Sequence, residues 1–387
     1  MRRLLNLHPF CKRLFTHVAI LVSLFIAPAW VMAEAVKQDV LIESKVNKQE
    51  LKFEVYVPSD YKDKPLKRYP VLLTTAGRSR LPIFVEQVNW SSHTSFSPMP
   101  KVIVVTLPDV ELDKFTGASG VLDKVITQVL AEDVLPYVDQ TYRTQPFRIM
   151  EGFSSWGNLP LYVFKNAPEL FDAYFVLSPA LELDKSGLIE SFNGFEADKR
   201  YLHKYLYLSL GTFTGNRTEF DKLSNYLRVK NTGNNLVFHS QDLSHLNYLS
   251  GPLIGLDAAA TALFSDLSPE MAMFDKSGVA GLKLYYQELE QKYGYDLDIE
   301  SSIIDLGFHF ADNKQVEKAL KTMAHIVDHN SDNPLLLIRL ASVKQRAGLS
   351  EEALKTFGVA LSVARKKKDE EAESYIKMRM ADLESSE

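Results

Sequence analysis

The sequence predicts an α/β domain with a mostly parallel sheet, followed by an all-α tail. Two observations carry this prediction. Short, nearly continuous apolar runs alternate with helical periodicities over most of the chain, and from about Leu282 the strand-like runs stop and helix formers dominate. Strands buried on both faces and separated by helices are typical of a parallel sheet. With 387 residues, 46% of them apolar, each part can bury a core.

Apolar patterning predicts the strands and helices of the first part of the chain. Lys52–Val57 alternates between apolar and polar residues, which predicts a strand with one wet face and a sheet that begins antiparallel. Val121–Val138 has apolar residues at helical spacing, and Leu159–Lys165 and Leu253–Phe264 also favour helices. The predicted buried strands are Pro70–Thr75, Val102–Leu107, Arg148–Met150, Ala173–Leu177, Leu206–Leu210 and Asn235–His239.

The tail contains two stretches that align with each other. Ala319 and Ala353 occupy equivalent places 34 residues apart, which is the period of tetratricopeptide repeats. Asp369–Glu384 would supply a closing helix. The tail either only packs on the first domain or offers a surface for a protein partner or for self-association.

The first 33 residues have the order of a secretory signal peptide. Basic residues up to Arg13 precede an apolar run from Val18 to Ala27, and small residues continue to Ala33. We predict cleavage near Ala33 and a periplasmic or secreted protein, with an uncleaved N-terminal anchor as the alternative. No further long apolar segment follows, so no membrane span is expected in the mature chain.

Composition argues against several classes of function. The single cysteine, Cys11, lies inside the predicted signal, so the mature chain would have no disulfide and no thiolate nucleophile. The net charge is −5, with 44 basic and 49 acidic residues mixed along the chain, so we expect no nucleic-acid partner. No His-Glu-x-x-His or comparable ligand spacing occurs, and neither a metal nor a cofactor is expected.

One serine stands where a nucleophile would. Ser154 follows the strand that begins at Arg148, sits at the tip of a sharp turn and precedes an apolar helix. Such a turn needs small neighbours because its serine takes strained backbone angles. Gly152 meets the upstream requirement, but Trp156 replaces the downstream glycine of the Gly-x-Ser-x-Gly pattern, and Gly157 comes one place later.

A serine hydroxyl needs a base, and His245 is the best placed of the nine histidines. It lies in the loop after the last predicted strand and before the last helix of the α/β part. In α/β enzymes whose nucleophile lies on such a strand-to-helix turn, the catalytic base comes after the nucleophile in the sequence. A lone loop histidine is otherwise an ordinary surface residue.

Several motifs in register resemble the putative esterase family, which has the α/β-hydrolase fold, and within it the siderophore-esterase branch. The resemblance covers about Val40 to Asp266 and implies domains at 34–270 and, for the tetratricopeptide-like tail, 282–387. The motifs that carry it are Tyr56–Tyr61, Arg68–Leu73, Val134–Thr144, Gly152–Gly157 and Pro168–Pro179.

The resemblance implies a serine esterase with Ser154 as nucleophile and His245 as general base. The backbone N–H groups of Ser155 and Gly77 would form the oxyanion hole. Phe153, Trp156 and Arg78 are expected to line the pocket for a small-molecule ester, either a siderophore lactone or an acyl ester.

This chain departs from the family in ways that affect catalysis. Phe153 replaces a histidine, and no acid follows the strand Leu206–Leu210 directly. Some members resemble Ser-His dyads; otherwise Glu219, then Asp242, then Asp221 are the candidate acids. The alternative function is a catalytically impaired homologue that acts as a binding or assembly module through its tail.

Overall fold

The computed structural model describes residues 35–93, 99–108, 124–183, 187, 189–231, 236–328 and 330–385. Its centre is an eight-stranded sheet in the order β1-β2-β4-β3-β5-β6-β7-β8. The strands are β1 Val36–Glu43, β2 Glu50–Val57, β3 Tyr69–Thr74, β4 Ile103–Thr106, β5 Thr144–Phe153, β6 Ala173–Leu177, β7 Tyr205–Leu210 and β8 Val237–Asp242. The predicted signal peptide, residues 1–33, lies outside the described residues.

The sheet begins antiparallel and continues parallel, as predicted. β1 pairs with β2 and β2 with β4 in antiparallel register, and all pairs from β4 through β3 to β8 are parallel. In β2, buried residues alternate with more exposed ones. In β3, β4, β6 and β7 every residue is buried. The mixed α/β sheet that the apolar runs predicted is therefore confirmed.

Helices cover both faces of this sheet. Val71 and Leu73 of β3 join one hydrophobic core, whereas Leu72 joins the other, because successive strand residues point to opposite faces. α2 to α5 pack on the first face; α1, α6 and part of α7 pack on the second. The helices are α1 Leu81–Trp90, α2 Lys124–Val129, α3 Leu135–Thr141, α4 Asn158–Asn166, α5 Arg217–Lys230, α6 Gly251–Phe264 and α7 Gly278–Tyr293.

The helix predicted over Val121–Val138 is not uniform. Its first three residues lie outside the described residues, and a π-helical turn, Leu130–Val134, separates α2 from α3. Pro136 follows this turn and has no N–H to donate, which favours the local change of pitch. The turn buries Asp133, whose carboxylate accepts hydrogen bonds from the Ser44 hydroxyl at 2.5 Å and the Lys45 N–H at 2.9 Å.

The C-terminal region is helical and has its own hydrophobic core. α8 and α10 begin 34 residues apart, and so do α9 and α11. Side-chain oxygens of Asn333 and Asp369 cap α10 and α12 by accepting backbone N–H groups. The helical tail is confirmed; its assignment to the tetratricopeptide class stays a prediction. The tail helices are α8 Glu300–Asp312, α9 Val316–Val327, α10 Pro334–Arg346, α11 Ser350–Lys367 and α12 Glu370–Glu384.

α7 joins the tail to the sheet. Leu282 packs in the tail core, whereas Tyr293 packs in the core beneath the sheet, with its ring 5.4 Å from that of Phe147 on β5. Lys67, just before β3, also donates a hydrogen bond to Asp298 at 3.3 Å. Phe147 and Lys67 mark the amino ends of β5 and β3. The tail therefore docks at the edge of the sheet opposite to the carboxyl ends of the strands.

Within the described ranges, no helix combines the length and the hydrophobicity that crossing a bilayer requires.

Candidate active site

The site is built around the turn that follows β5. Ser154 comes directly after this strand and has a φ of +60°, a left-handed conformation that is costly for a residue with a side chain. A short 3-10 turn, Ser154–Gly157, then leads into α4. The backbone carbonyl of Ser154 accepts a hydrogen bond from the Ala180 N–H at 3.1 Å, after β6. The strained serine is thus held at the carboxyl edge of the parallel sheet.

Two glycines allow this turn to close. A Cβ on Gly152 would lie 2.5 Å from the Trp156 carbonyl and 2.8 Å from the Pro160 ring. A Cβ on Gly157 would lie 2.9 Å from Pro179 after β6. The close approach to β6 therefore occurs at position 157, and this explains how Trp156 can replace the usual downstream glycine.

A buried ion pair lies directly beneath the turn. Glu151 of β5 is fully buried, and its carboxylate accepts a hydrogen bond from the Thr74 hydroxyl at 2.6 Å. One terminal nitrogen of Arg80 lies 2.9 Å from both of its oxygens. The Arg80 guanidinium carbon also lies 5.4 Å from the centre of the Phe153 ring. A charged residue inside an apolar strand was visible in the sequence, but sequence reasoning did not use this signal.

The same network orders the loop that carries the predicted second oxyanion donor. The Ala76 N–H donates to the Thr74 hydroxyl oxygen at 3.0 Å, and the Thr75 N–H donates to the Glu151 carbonyl at 3.1 Å. Gly77 follows immediately and is exposed. Among the described residues, its N–H donates no hydrogen bond. Both predicted oxyanion donors, Gly77 and Ser155, therefore follow adjacent, paired strands, β3 and β5.

The side-chain hydroxyl of Ser154 contacts a tyrosine. The Tyr248 hydroxyl donates a hydrogen bond to Ser154 Oγ at 3.1 Å. The Tyr248 ring lies 5.0 Å from Phe153 and 5.3 Å from Phe213, measured between ring centres. Sequence reasoning missed Tyr248, because nothing in a loop sequence shows which side chain reaches a serine 94 positions earlier.

His245 lies in the same loop but does not reach the serine. It is exposed, in a turn after β8, and makes no hydrogen bond or ion pair with any other described residue. The structure brings its loop to the Ser154 edge, whereas its imidazole is not hydrogen-bonded to Ser154. Apo structures often show such catalytic contacts as long or unformed.

The three candidate acids make their contacts elsewhere. Hydrogen bonds from Ser244, together with the Arg217 guanidinium at 2.9 Å, lower the pKa of Asp242 to about 2. Glu219 lies on α5 with its carboxylate 3.6 Å from Lys222, and Asp221 is exposed on the same helix. Within the described part of the chain, none of the three is hydrogen-bonded to His245.

The packing directly after β7 excludes a carboxylate from position 211. A Cβ on Gly211 would lie 2.3 Å from the Ser178 hydroxyl oxygen. Ser178 itself has a φ of +46°, and its buried hydroxyl has no partner among the described residues. A side chain at position 211 would therefore displace Ser178, so position 211 itself has no room for a carboxylate.

A small cavity lies beside the serine, and two of the predicted pocket residues are placed differently from expectation. Trp156 is half-buried and packs against the larger core of the sheet rather than lining this cavity. Arg78 is exposed. The lining residues include Phe153, as predicted, with Ser178, Gly211, Thr212, Phe213, Asn216, Asn247, Tyr248 and Gly251.

Across the described residues, no group of three or more His, Cys, Asp or Glu side chains is arranged to hold a metal ion.

Comparison with known proteins agrees with this geometry. Among solved structures, an IroE-like serine hydrolase from Shewanella oneidensis has a TM-score of 0.63 at 16% identity, covering 76% of this chain and 99% of its own. An uncharacterised protein from Capnocytophaga ochracea has a TM-score of 0.58 at 16% identity, covering 90% of this chain and 100% of its own. At this identity the likeness shows the fold. No curated protein matches the sequence.

The match to a family model is more specific. The model described as "Putative esterase" matches residues 44–214, a segment that contains β2 to β7 and the Ser154 turn. Together with the fold of a serine hydrolase, it supports an enzyme that hydrolyses esters. Residues 44–214 of this chain are therefore similar to the putative esterase family.

Proposed function

We propose that this chain is an exported serine esterase in which Ser154 is the nucleophile and His245 the general base. The observation that carries the proposal is the φ of +60° at Ser154, on a turn between a buried parallel strand and a helix. A positive φ at a serine on a strand-to-helix turn is the backbone geometry of a nucleophile elbow.

The proposed reaction gives each of these groups one role. Ser154 Oγ attacks the ester carbon while His245 takes its proton, and the backbone N–H groups of Ser155 and Gly77 donate to the developing oxyanion. One such donor lowers the barrier by about 3 kcal/mol. His245 then gives the proton to the departing alcohol, and water removes the acyl group by the reverse sequence.

The proposal requires His245 to move, because its exposed turn leaves it without a hydrogen bond to the serine. No carboxylate of the described residues is bonded to His245, so none of them holds its tautomer. This favours a Ser-His dyad over a triad and a lower turnover number.

A fluorophosphonate probe tests the nucleophile and the base. We expect the mature protein to be labelled and Ser154→Ala to be unlabelled. His245→Ala should label at least roughly a thousandfold more slowly, because the serine would lose its base. Ser178→Ala is the matched control: Ser178 also has a positive φ, but its hydroxyl is buried, so labelling should persist. An unlabelled parent protein that also fails to hydrolyse short p-nitrophenyl esters would refute an esterase.

Carboxylic esters with an apolar or aromatic acyl part are the proposed substrate class, with siderophore lactones included because of the sequence resemblance. Three rings, Phe153, Phe213 and Tyr248, line the same small cavity and can pack against such a group. Of these, Tyr248 contacts Ser154 directly, and Phe213 packs against Tyr248. Comparison of kcat/KM for a catecholate trilactone and for p-nitrophenyl butyrate tests this choice. A trilactone that is hydrolysed no faster than the simple ester would argue against a siderophore.

A second candidate is favoured by one observation, the hydrogen bond from Tyr248 to Ser154 Oγ in place of one from His245. A homologue that had lost catalysis would tolerate such an arrangement and could act as a binding module. The labelling experiment separates the esterase from the binding module. A binding module would leave the probe unreacted and would still bind the ester substrate without hydrolysing it.

Export through a signal peptide completes the proposal. The basic, apolar and small-residue order of residues 1–33 supports it. Fractionation of the cells and the intact mass of the purified protein would check it. A protein retained in the cytoplasm, with Met1 still present, would contradict it.

The tail is proposed as a tetratricopeptide-like surface for a protein partner or for self-association. The equal 34-residue offsets of its helix pairs support this. Removal of residues 300–387 should keep Leu289 and Tyr293 of α7 in the sheet core, while Leu282 and Tyr286 lose their partners in the tail core. If light scattering gives one chain per particle before and after truncation, self-association is refuted.

A further inference from the structure

The hydroxyl of Tyr248 is the only polar side-chain group that the described residues bring to within hydrogen-bonding distance of Ser154 Oγ, with a separation of 3.1 Å. A serine hydroxyl has one hydrogen to donate and two lone pairs that accept. Tyr248 donates to a lone pair and therefore leaves the serine hydrogen free for a base. The tyrosine and a catalytic histidine can act on the same oxygen.

The position of Tyr248 is determined by its surroundings. Its ring is flanked by Phe153 at 5.0 Å and Phe213 at 5.3 Å between ring centres. The Asn247 side-chain oxygen accepts the N–H groups of Leu249 at 3.0 Å and Ser250 at 2.9 Å, which fixes the turn before α6. In the same loop, the Leu246 carbonyl accepts a hydrogen bond from the Thr212 hydroxyl at 2.6 Å.

We propose that Tyr248 is a catalytic residue that accelerates removal of the acyl group from Ser154, an inference that rests on the esterase proposed above. During acylation Ser154 Oγ gives an electron pair to the ester carbon, and a donor on that oxygen competes for the pair. During deacylation the same oxygen is the leaving group and receives an electron pair. A hydrogen bond from Tyr248 stabilises that negative charge.

The deacylation step balances without any further reactant. Water loses a proton to His245 and adds to the acyl carbon, whose carbonyl electrons move to the oxyanion. The carbonyl then reforms, the bond between the acyl carbon and Oγ breaks, and the electron pair stays on Oγ. The His245 proton passes to Oγ, while Tyr248 keeps its own proton throughout and only donates a hydrogen bond.

Tyr248→Phe tests this role because it keeps the ring contacts and removes only the hydroxyl. With p-nitrophenyl butyrate we expect the steady-state rate to fall roughly 10- to 100-fold, the value of a hydrogen bond to a developing charge. The fraction of butyryl-enzyme in acid-quenched samples, measured by intact mass, should rise. The rate of fluorophosphonate labelling, which reports attack by Oγ alone, should be equal to that of the parent or higher, because the hydrogen bond that competes for the Oγ electron pair is gone.

Tyr375→Phe is the control, since this tyrosine lies in α12 of the tail and its hydroxyl contacts only Arg379 among the described residues. The control should match the unaltered protein in all three measurements. If Tyr248→Phe lowers labelling and turnover together, or leaves butyryl-enzyme unchanged or reduced, the proposed role is overturned. An unlabelled parent protein would instead remove the esterase itself, so the two failures are distinguishable.

Discussion

The turn that carries Ser154 and the loop that carries His245 meet at one edge of the sheet but are built differently. The Ser154 turn rests on Glu151, which is fully buried and paired with Arg80, and it closes against Pro160 and β6 with no room for a Cβ at Gly152. The His245 loop is mostly exposed, and its histidine has no partner among the described residues.

Under the proposed mechanism, this difference means that only part of the site is preorganised. Buried contacts position Ser154 and the loop that carries Gly77, and electrostatic catalysis gains most from such preorganised groups. The proposed base, His245, would have to move in an exposed turn to reach Ser154. Substitutions beneath Ser154 should therefore lower both stability and activity. Substitutions of carboxylates near His245 should change both only slightly.

The largest effect is expected from Gly152→Ala. The added Cβ would meet the Trp156 carbonyl at 2.5 Å and the Pro160 ring at 2.8 Å, so the turn must open. We expect a loss of about 3 kcal/mol in the free energy of unfolding, together with loss of probe labelling at Ser154. Denaturant unfolding followed by circular dichroism measures the first.

Gly358→Ala is the matched control for this substitution. Gly358 lies within α11, and a Cβ there meets nothing within 4 Å. In a helix interior, alanine is more stable than glycine by up to about 1 kcal/mol. This variant should therefore be at least as stable as the parent. Equal stability of both glycine variants would mean that the turn is not closely packed.

Much of the sheet could be predicted from the sequence because a buried strand is recognisable from its apolar residues. β6 was predicted with its observed bounds, Ala173–Leu177, and β3 and β7 to within one residue at each end, since strands buried on both faces are continuously apolar. β1 was not predicted: only Val40 of its eight residues is buried, so it carries almost no pattern.

The site was predicted less completely, for a different physical reason. Ser154 follows from a local pattern, strand, glycine and helix, which a short segment encodes. Tyr248 and Arg80 matter because distant loops converge on β5, and no local periodicity reports such contacts. The exclusion of a carboxylate from position 211 also depends on a distant residue, because a Cβ there would meet Ser178.

A smaller effect is expected from Glu151→Gln. The amide cannot neutralise Arg80, whose side chain is 16% exposed and thus only partly hydrated. We expect a loss of about 2 kcal/mol in the free energy of unfolding. We also expect kcat to fall roughly tenfold with KM little changed, because Arg80, whose N–H holds the Gly77 carbonyl at the end of this loop, loses its charged partner.

Asp312→Asn is the control for the loss of a carboxylate from an ion pair. Asp312 pairs with Arg346 at 2.7 Å in the tail, where both side chains are more than half exposed. Such surface pairs contribute little, so stability and kcat should both be retained. A Glu151→Gln enzyme with full kcat would show that the buried pair does not position the oxyanion loop.

The smallest effect is expected from Asp242→Asn, and it tests whether the histidine has an acid. An Asp-to-Asn change in a working triad lowers kcat about 10⁴-fold. Here the carboxylate is half exposed and bonded to Arg217 and Ser244, so we expect kcat within about threefold of the parent. A loss near the triad value would mean that Asp242 turns to His245 during catalysis.

The pH dependence of stability gives the same substitution a second readout. The pKa of Asp242 is lowered to about 2 by the Ser244 hydrogen bonds and Arg217, so the folded state favours the ionised form. The resulting stabilisation is complete well above the ordinary pKa near 3.8 and is lost as the pH falls through about 2. Since solvent screens this exposed pair, we expect less than about 1 kcal/mol. The parent should therefore be slightly more stable than Asp242→Asn at pH 6, and the difference should vanish in acid. A difference that grew on acidification would require an ionised carboxylate that destabilises the fold, which the contacts with Ser244 and Arg217 contradict.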